Sequence, residues 1–177
     1  MTLLIMAAGN GSRYGALKQF DGLGPSGAYI MEYSMYDAIE SGIKHIVIVT
    51  KKENQADTAQ HFATKLPKEV KLDVVAQELT DLPEGIAAPL ERKKPWGTAH
   101  AVWAARHVID GPFVVINADD FYGREAFLAA ADFMRGQRKE NAFAIVAYAL
   151  GGTLSTYGSV SRGICSVENG QLVSVEE

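Results

Sequence analysis

An arginine and a lysine, Arg13 and Lys18, stand close together in a stretch that also holds Gly9, Gly11 and Gly15. Glycines let backbone N–H groups approach an anion, as in strand–loop–helix phosphate sites. The arginine offers a planar fork and the lysine a point charge, and both can place positive charge on a polyphosphate. Far downstream, Asp119 and Asp120 close an apolar run in "VVINADDFYG". Carboxylates are hard oxygen ligands of the kind Mg²⁺ takes, one or two alongside phosphate oxygens. Strand alternation sends the two aspartates in different directions, so one of them meets a metal directly. The competing reading is that the pair caps the next helix or makes a turn. Cations after one strand and a carboxylate after another suit a triphosphate with a divalent ion. Nucleotidyl transfer needs in-line placement and charge neutralisation more than a covalent nucleophile, and the sequence offers no evident triad.

Other nucleotide chemistries fit less well. "GNGSRYG" misses the G-x-G-x-x-G dinucleotide spacing by one residue, and no Gly-Lys-Ser/Thr follows to make a P-loop. A dinucleotide site also wants an acid at the end of the second strand, where this chain has Thr50-Lys51-Lys52. Lys51 and Lys52 could meet a 2′-phosphate, which keeps an NADP-binding reductase as an alternative. That reading leaves Lys18 and Asp119 without a role, and no Tyr-x-x-x-Lys pair supports it. A non-catalytic nucleotide-binding domain is the third reading.

The elements that must hold these residues alternate. "TLLIMAA" reads as a buried central strand of a parallel sheet. "YIMEYSMYDAIESG" reads as a helix whose apolar face is Ile30, Tyr33, Met35, Ala38 and Ile39, with Gly42 as its C′ glycine. "KHIVIVT" is a second strand. "ENQADTAQHFATKL" is a helix with Ala56, Ala59, Phe62, Ala63 and Leu66 on one side. "KLDVVAQ" is a third strand. Leu79 to Pro95 has no periodicity and reads as a functional or mobile loop. "GTAHAVWAARHVI" resumes as a helix, "GPFVVINADDFYG" is a strand, "REAFLAAADFMRGQ" a helix and "NAFAIVAYAL" a strand. After Gly151 the texture changes, and Asn169-Gly170 between alternating residues reads as a hairpin with a type I′ turn. The expected fold is α/β: a Rossmann-like, mostly parallel mixed sheet with helices on both faces and a C-terminal β-hairpin extension. The expected organisation is one domain over 1–177, with a nucleotide-binding core over 1–150 and an extension over 151–177. The chain stops at Glu177 in mid-strand, which points to truncation.

Composition bounds the rest. The 177 residues suffice for one full-sized domain, and 47% apolar with 21% charged residues is a globular composition. The net charge of −4 lacks the basic excess that nucleic-acid binding needs. No apolar run is long enough to span a bilayer and no signal peptide opens the chain, so the cytoplasm is the default location. The single cysteine, Cys165, rules out an internal disulfide and reads as a small strand residue. Trp96 and Trp103 read as packing residues, His100 as a surface or core histidine, Lys93-Lys94 as a solvated loop tip and Glu176 as a solvent-facing strand residue. A homo-oligomer stays open.

"MAAGNGSRYG" followed by "LKQF" resembles the signature of the sugar-phosphate nucleotidyltransferases, the enzymes that make nucleotide sugars. The resemblance spans the chain. "EYSMYDAIESGIKHIVIVT" looks like the family's first helix and second strand, and "KPWGTAHAV" like the segment closing over the base. "NADDFYG" is similar to its metal motif and "VSVEE" to its later Glu-Glu-Lys-Pro motif. The resemblance implies the nucleotide-diphospho-sugar transferase type of fold, and transfer of NMP from an NTP to a sugar-1-phosphate or related phosphorylated alcohol with release of pyrophosphate. It implies Mg²⁺ as cofactor, held by Asp119. Ala8, Gly9, Asn10, Gly11 and Ser12 would meet the nucleotide phosphates, Arg13 the β/γ-phosphates and Lys18 the α-phosphate region. Gln77, Gly97 and Thr98 would hold the nucleotide, with Gln77 and Gly97 on the base. Asp120, Gly158 and Glu177 would touch the sugar. Three features depart from the family pattern. No lysine follows the Glu-Glu pair, the second metal-binding aspartate is absent, and "GLGPSG" replaces the usual apolar-Pro segment.

Overall fold

The computed structural model describes residues 1–9, 22, 27–89, 91–136, 139, 141–155 and 158–176. The chain divides into two compact units, Met1–Lys139 and Glu140–Glu177.

The first unit is built on four parallel strands: β1 (Thr2–Met6), β2 (His45–Thr50), β3 (Lys71–Ala76) and β4 (Phe113–Asn117). Helices α1 (Ile30–Glu40), α2 (Gln55–Ala63), α3 (Thr98–Ala104) and α4 (Arg124–Gly136) make the connections. The sheet order is β3-β2-β1-β4. The strands sort their side chains with the period of two that a pleated sheet imposes. Leu3, Ile5, Ile46, Ile48 and Ile116 point to one face, where they meet Met31, Met35 and Ala38 of α1, Phe62 of α2 and Phe127 of α4. Leu4, Val47 and Val49 point to the other, against Ala101 and Ala104 of α3 and the following Ala105. Strands buried on both sides must be apolar at consecutive positions, which is why "TLLIM" and "HIVIV" lack alternation.

Helix faces differ from the sequence expectation in rotation, not in existence. In α1 the buried set is Met31, Ser34, Met35 and Ala38, spaced three and four apart, while Tyr33 is exposed. Tyrosine can cover a rim with its ring and keep its hydroxyl wet, so apolarity alone misplaced the face. In α2 the buried residues are Thr58 and Phe62, and Ala56 and Ala63 are exposed. Alanine gains too little from burial to direct a helix. The end of α1 is as expected. Gly42 at φ 89° donates to the Ile39 carbonyl (2.9 Å) and Ile43 to the Ala38 carbonyl (3.0 Å), the two bonds of a Schellman motif. The long 79–95 stretch carries no helix or strand among its described residues.

The second unit holds an antiparallel hairpin, β5 (Ile164–Glu168) and β6 (Gln171–Glu176). Asn169 (φ 51°) and Gly170 (φ 74°) both adopt the positive φ that a type I′ turn requires. Cys165 lies in β5 as a free thiol. The strand expected over "NAFAIVAYAL" is not formed: described residues 141–149 carry no strand, and Phe143 is 91% exposed. An apolar run satisfies strand composition, but a strand exists only as part of a ladder, and composition cannot supply the partner. Among the described residues no helix is long and apolar enough to cross a membrane.

Candidate functional site

Three strands run outward from the centre as β1, β2, β3, and the chain then returns to the other side of β1 to lay down β4. Such a reversal of strand order leaves a crevice beyond the carboxyl ends of the two strands that flank it, the usual ligand position in open α/β sheets. Here those strands are β1 and β4, with Met6 beside Asn117 in register. The glycine-rich segment leaves β1 and the aspartate pair leaves β4. The ladder is closed at this edge by Ala7 donating to Val49 (2.7 Å) and Ala118 donating to Met6 (3.1 Å). Ala8 is buried, and Gly9 is exposed with nothing within 4 Å of where a Cβ would sit. Asn10, Gly11, Ser12, Arg13, Lys18 and Glu177 lie outside the described residues.

The two aspartates are unlike in their surroundings. Asp120 is held in a local knot: its Oδ2 accepts from Asn117 Nδ2 at 2.9 Å and from the Tyr122 hydroxyl at 3.5 Å. The same hydroxyl accepts from the Asn117 backbone N–H at 2.9 Å. Asp119 is exposed and makes no hydrogen bond or ion pair with a described residue. A lone, accessible carboxylate fits a Mg²⁺ ion that brings its other ligands as phosphate oxygens and water. Among the described residues no group of three potential metal ligands stands together. Tyr122 packs edge-on against Phe127 (6.4 Å between centroids), which anchors the turn to the core. Sequence reading missed Asn117 and Tyr122, because their role comes from the turn that β4 makes and not from a motif.

A second cluster forms at the carboxyl end of β3. Gln77 closes the β2–β3 ladder by donating its backbone N–H to Thr50 (2.8 Å). Its side-chain amide donates to the Gly97 carbonyl at 3.0 Å and contacts His100 Nδ1 at 3.1 Å. Gly97 precedes α3 at φ 113°, a conformation that disfavours any side chain, and Thr98 is the exposed first residue of the helix. His100 is buried and its Nε2 lies 2.7 Å from the Asp81 carbonyl oxygen. Arg106 grips the Asp81 carboxylate with both terminal nitrogens, at 2.6 and 2.8 Å, while lying over the Trp103 ring. This Arg106 contact holds the Asp81 carboxyl below its ordinary range, against a smaller opposing effect of burial. Trp96 donates its indole N–H to Leu79 (3.0 Å) and carries Arg92 on its face at 3.9 Å. The aperiodic 79–95 stretch is therefore tied to Trp96 just before α3, to His100 within it and to Arg106 just after it. Lys93 and Lys94 are exposed in it.

Lys51 and Lys52, the candidates for a 2′-phosphate site, each stand near a carboxylate: Lys51 is 3.9 Å from Glu53 and Lys52 is 3.3 Å from Glu78. Gly158, at φ 143°, and the exposed Glu176 belong to the second unit.

An all-parallel sheet ordered 3-2-1-4, with helices on both faces, places the first unit in the Rossmann-like α/β class. The chain belongs to the nucleotidyl transferase family, whose sequence profile matches residues 2–177. It is 32% identical over 106 residues to the UTP–glucose-1-phosphate uridylyltransferase of Bacillus subtilis, covering 54% of this chain and 35% of that protein. It is 31% identical over 97 residues to the enzyme of the same description from Salmonella typhimurium, covering 51% of this chain and 33% of that one. The chain thus aligns with about a third of the length of these curated relatives. Among solved structures, a Bacillus anthracis protein assigned provisionally as a glucose-1-phosphate thymidylyltransferase superimposes with a TM-score of 0.64 at 19% identity, over 100% of this chain and 64% of that one. The inositol-1-phosphate CTP transferase of T. maritima superimposes with a TM-score of 0.54 at 16% identity, over 73% and 47% of the two chains. These structural likenesses establish the fold.

Proposed function

We propose that this chain carries the nucleotide-activating part of an enzyme that transfers NMP from an NTP to a sugar-1-phosphate or related phosphorylated alcohol. The observation that carries the reading is the placement of Asp119, with no partner among the described residues, beside the end of β1. In sequence, β1 is followed by the stretch that holds Arg13 and Lys18.

In this reading an oxygen of the acceptor's phosphate attacks the α-phosphorus in line. The new P–O bond forms as the bond to the bridging oxygen of the β-phosphate breaks, and pyrophosphate leaves with the electron pair. Arg13 binds the departing β/γ-phosphates and Lys18 lowers the charge near the α-phosphate. Backbone from Ala8 to Ser12 lies along the phosphates, and Gln77, Gly97 and Thr98 hold the nucleoside end. Asp119 is the ligand for Mg²⁺, which when bound neutralises charge on the donor and acceptor phosphates. Asp120 keeps the turn that presents Asp119 and faces the sugar. The relatives named as uridylyltransferases favour a nucleotide-sugar product. The ion pairing of Lys51 and Lys52 argues against reserving them for the 2′-phosphate of NADP. The proposed setting is the cytoplasm, with no nucleic acid as partner.

The test has two arms. Nucleotide binding is measured by calorimetry with Mg²⁺ and each NTP in turn, and pyrophosphate release is followed with a panel of sugar 1-phosphates. Saturable NTP binding and release with at least one pair is the expected result. Binding of NADPH in place of any NTP would turn the assignment to the reductase reading.

A further inference from the structure

Two polar side chains at the start of α2 decline the partners that their positions offer. Asn54 stands at the N-cap of α2, where an asparagine side chain ordinarily accepts a helix N–H, and it makes no such bond. Thr58 follows one turn later, and a threonine inside a helix can give its hydroxyl to the carbonyl four residues back. It makes no bond either: Asn54 Nδ2 and Thr58 Oγ1 are both buried without a hydrogen-bond partner among the described residues. Thr58 as a whole is 2% exposed. Buried donors without a partner are rare and costly, so something has to supply one. Both residues line a cavity of about 280 Å³, together with Tyr29, Asp57 and His61. A water's share of liquid volume is about 30 Å³, so this space exceeds what one structural water needs. It also lies just under the size of about 300 Å³ at which pockets for drug-sized ligands begin.

The charges around the cavity select the kind of ligand. Asp57 is exposed and makes no ion pair among the described residues, so its carboxylate repels an anion. Asn54 Nδ2 is a donor and opposes a cation. Glu32 adds no free charge, because it pairs with Lys65 at 2.8 and 2.9 Å and lies 3.2 Å from His61 Nε2. That carboxylate only accepts, so His61 Nε2 carries a hydrogen, and in the neutral ring Nδ1 is left as an acceptor. Donors and acceptors thus share one small space, and a hydroxyl group, which gives and accepts at once, answers both. Tyr29 and His61 stack on each other at 4.6 Å, which leaves no gap for a flat base between them. Threonine populates two χ1 wells in a helix, so Thr58 can turn its hydroxyl toward a ligand. We infer that this cavity binds one neutral polyhydroxylated ring, a free sugar or cyclitol, whose hydroxyls bridge Asn54 Nδ2 and Thr58 Oγ1 to the Asp57 carboxylate. None of the five lining residues is assigned to nucleotidyl transfer, so the inference does not rest on the transferase reading.

The experiment titrates nitrogen-15-labelled protein, free of nucleotide, with myo-inositol and with D-glucose, and in parallel with inorganic phosphate, methylammonium and uracil. The readout is the Asn54 side-chain amide signals, identified by their loss in Asn54→Ser. At least one polyol should move them saturably, while the other three compounds leave them in place. Thr58→Val keeps the shape of the side chain and removes its hydroxyl, and Asp57→Ala removes the carboxylate. Each should weaken polyol binding by about tenfold, the scale of one hydrogen bond lost to a ligand. Asp57 is exposed, so its variant keeps the test decisive if Thr58→Val does not fold. No movement with either polyol shows a cavity that holds only water and overturns the inference. Saturable movement with phosphate, methylammonium or uracil overturns the choice of ligand, and polyol binding unchanged in both variants overturns the site. Pyrophosphate release by the wild type without polyol tests the transferase reading separately, so either reading can fail alone.

Discussion

The Asn117 side-chain amide donates to the Asp120 carboxylate at 2.9 Å, and this bond separates the tasks of two neighbouring aspartates. Asp120 serves the turn, and Asp119 is left with no protein partner among the described residues. Replacing each should therefore give opposite signatures. Asp119→Asn should leave the melting temperature within about 2 °C, because surface substitutions usually change stability by under about 0.5 kcal/mol. It should lower pyrophosphate release by more than about tenfold, which corresponds to about 1.4 kcal/mol of lost transition-state stabilisation. Asp120→Ala should lower the melting temperature by several degrees, since a turn hydrogen bond contributes about 1 kcal/mol. Parallel melting curves and pyrophosphate assays on the two variants make the comparison. Equal losses of activity and stability in both would show that the turn does not distinguish them.

Glu32 ties the start of α1 to α2 and predicts an acid-sensitive step in stability. It accepts the Tyr29 backbone N–H at 3.2 Å, lies 3.2 Å from His61 Nε2, and pairs with Lys65 at 2.8 and 2.9 Å. Burial raises its pKa, but the bonds to Lys65, Tyr29 and His61 together outweigh burial and hold the carboxyl below its ordinary value. A carboxyl whose pKa is lower in the folded state stabilises fully above its unfolded pKa, and that contribution is lost as pH falls through the folded one. Glu32→Gln should thus be less stable than the wild type near neutrality, with the difference shrinking in acid as pH falls through the lowered pKa of wild-type Glu32. Thermal melts across that range read it directly. A difference that persists undiminished in acid would mean that the charge on Glu32 is not what matters.

The ends of β1 and β4 were legible in sequence because local pattern and topology coincide there. "TLLIM" and "FVVIN" are apolar runs that end abruptly, and residues just past the carboxyl end of a parallel strand form the ligand edge of the sheet. The Asn169-Gly170 hairpin was equally legible, since few dipeptides accept two positive φ values in a row. The Asp81–His100–Gln77 relay was not. Its members lie on an aperiodic loop, a helix and a strand end, and nothing in their spacing says that they meet. His100 in particular reads as an ordinary core histidine until the partner opposite each ring nitrogen is known. The strand expected from "NAFAIVAYAL" failed for the converse reason: its composition was right, and its partner was a tertiary fact.

Phe62 links α2 to the face of the sheet that also carries α1 and α4, and it is fully buried. Truncation to alanine removes a large ring from a site that Met31 and Met35 can only partly refill, so Phe62→Ala should cost about 3–5 kcal/mol. Phe121 is 67% exposed, and the same truncation there should cost less than about 1 kcal/mol. Urea unfolding of both variants, with the slope checked against the wild type, provides the measurement. A loss of similar size at the two positions would contradict the core described for this face.

Arg13 stands in the segment between β1 and α1, and its proposed task is the leaving pyrophosphate and not the base. That assignment predicts an asymmetry. Arg13→Ala should lower turnover by more than about tenfold, because charge builds on the leaving group as the α-phosphorus bond breaks and the guanidinium fork answers it most in the transition state. The relative rates with different NTPs should be unchanged, since the proposed base contact is at Gln77 and not at Arg13. Steady-state kinetics with different NTPs separate the effects. If the variant instead keeps its turnover number and loses only affinity, Arg13 contributes uniform binding and has no special part in the chemical step. If the nucleotide preference shifts, Arg13 lies nearer the base than the phosphates.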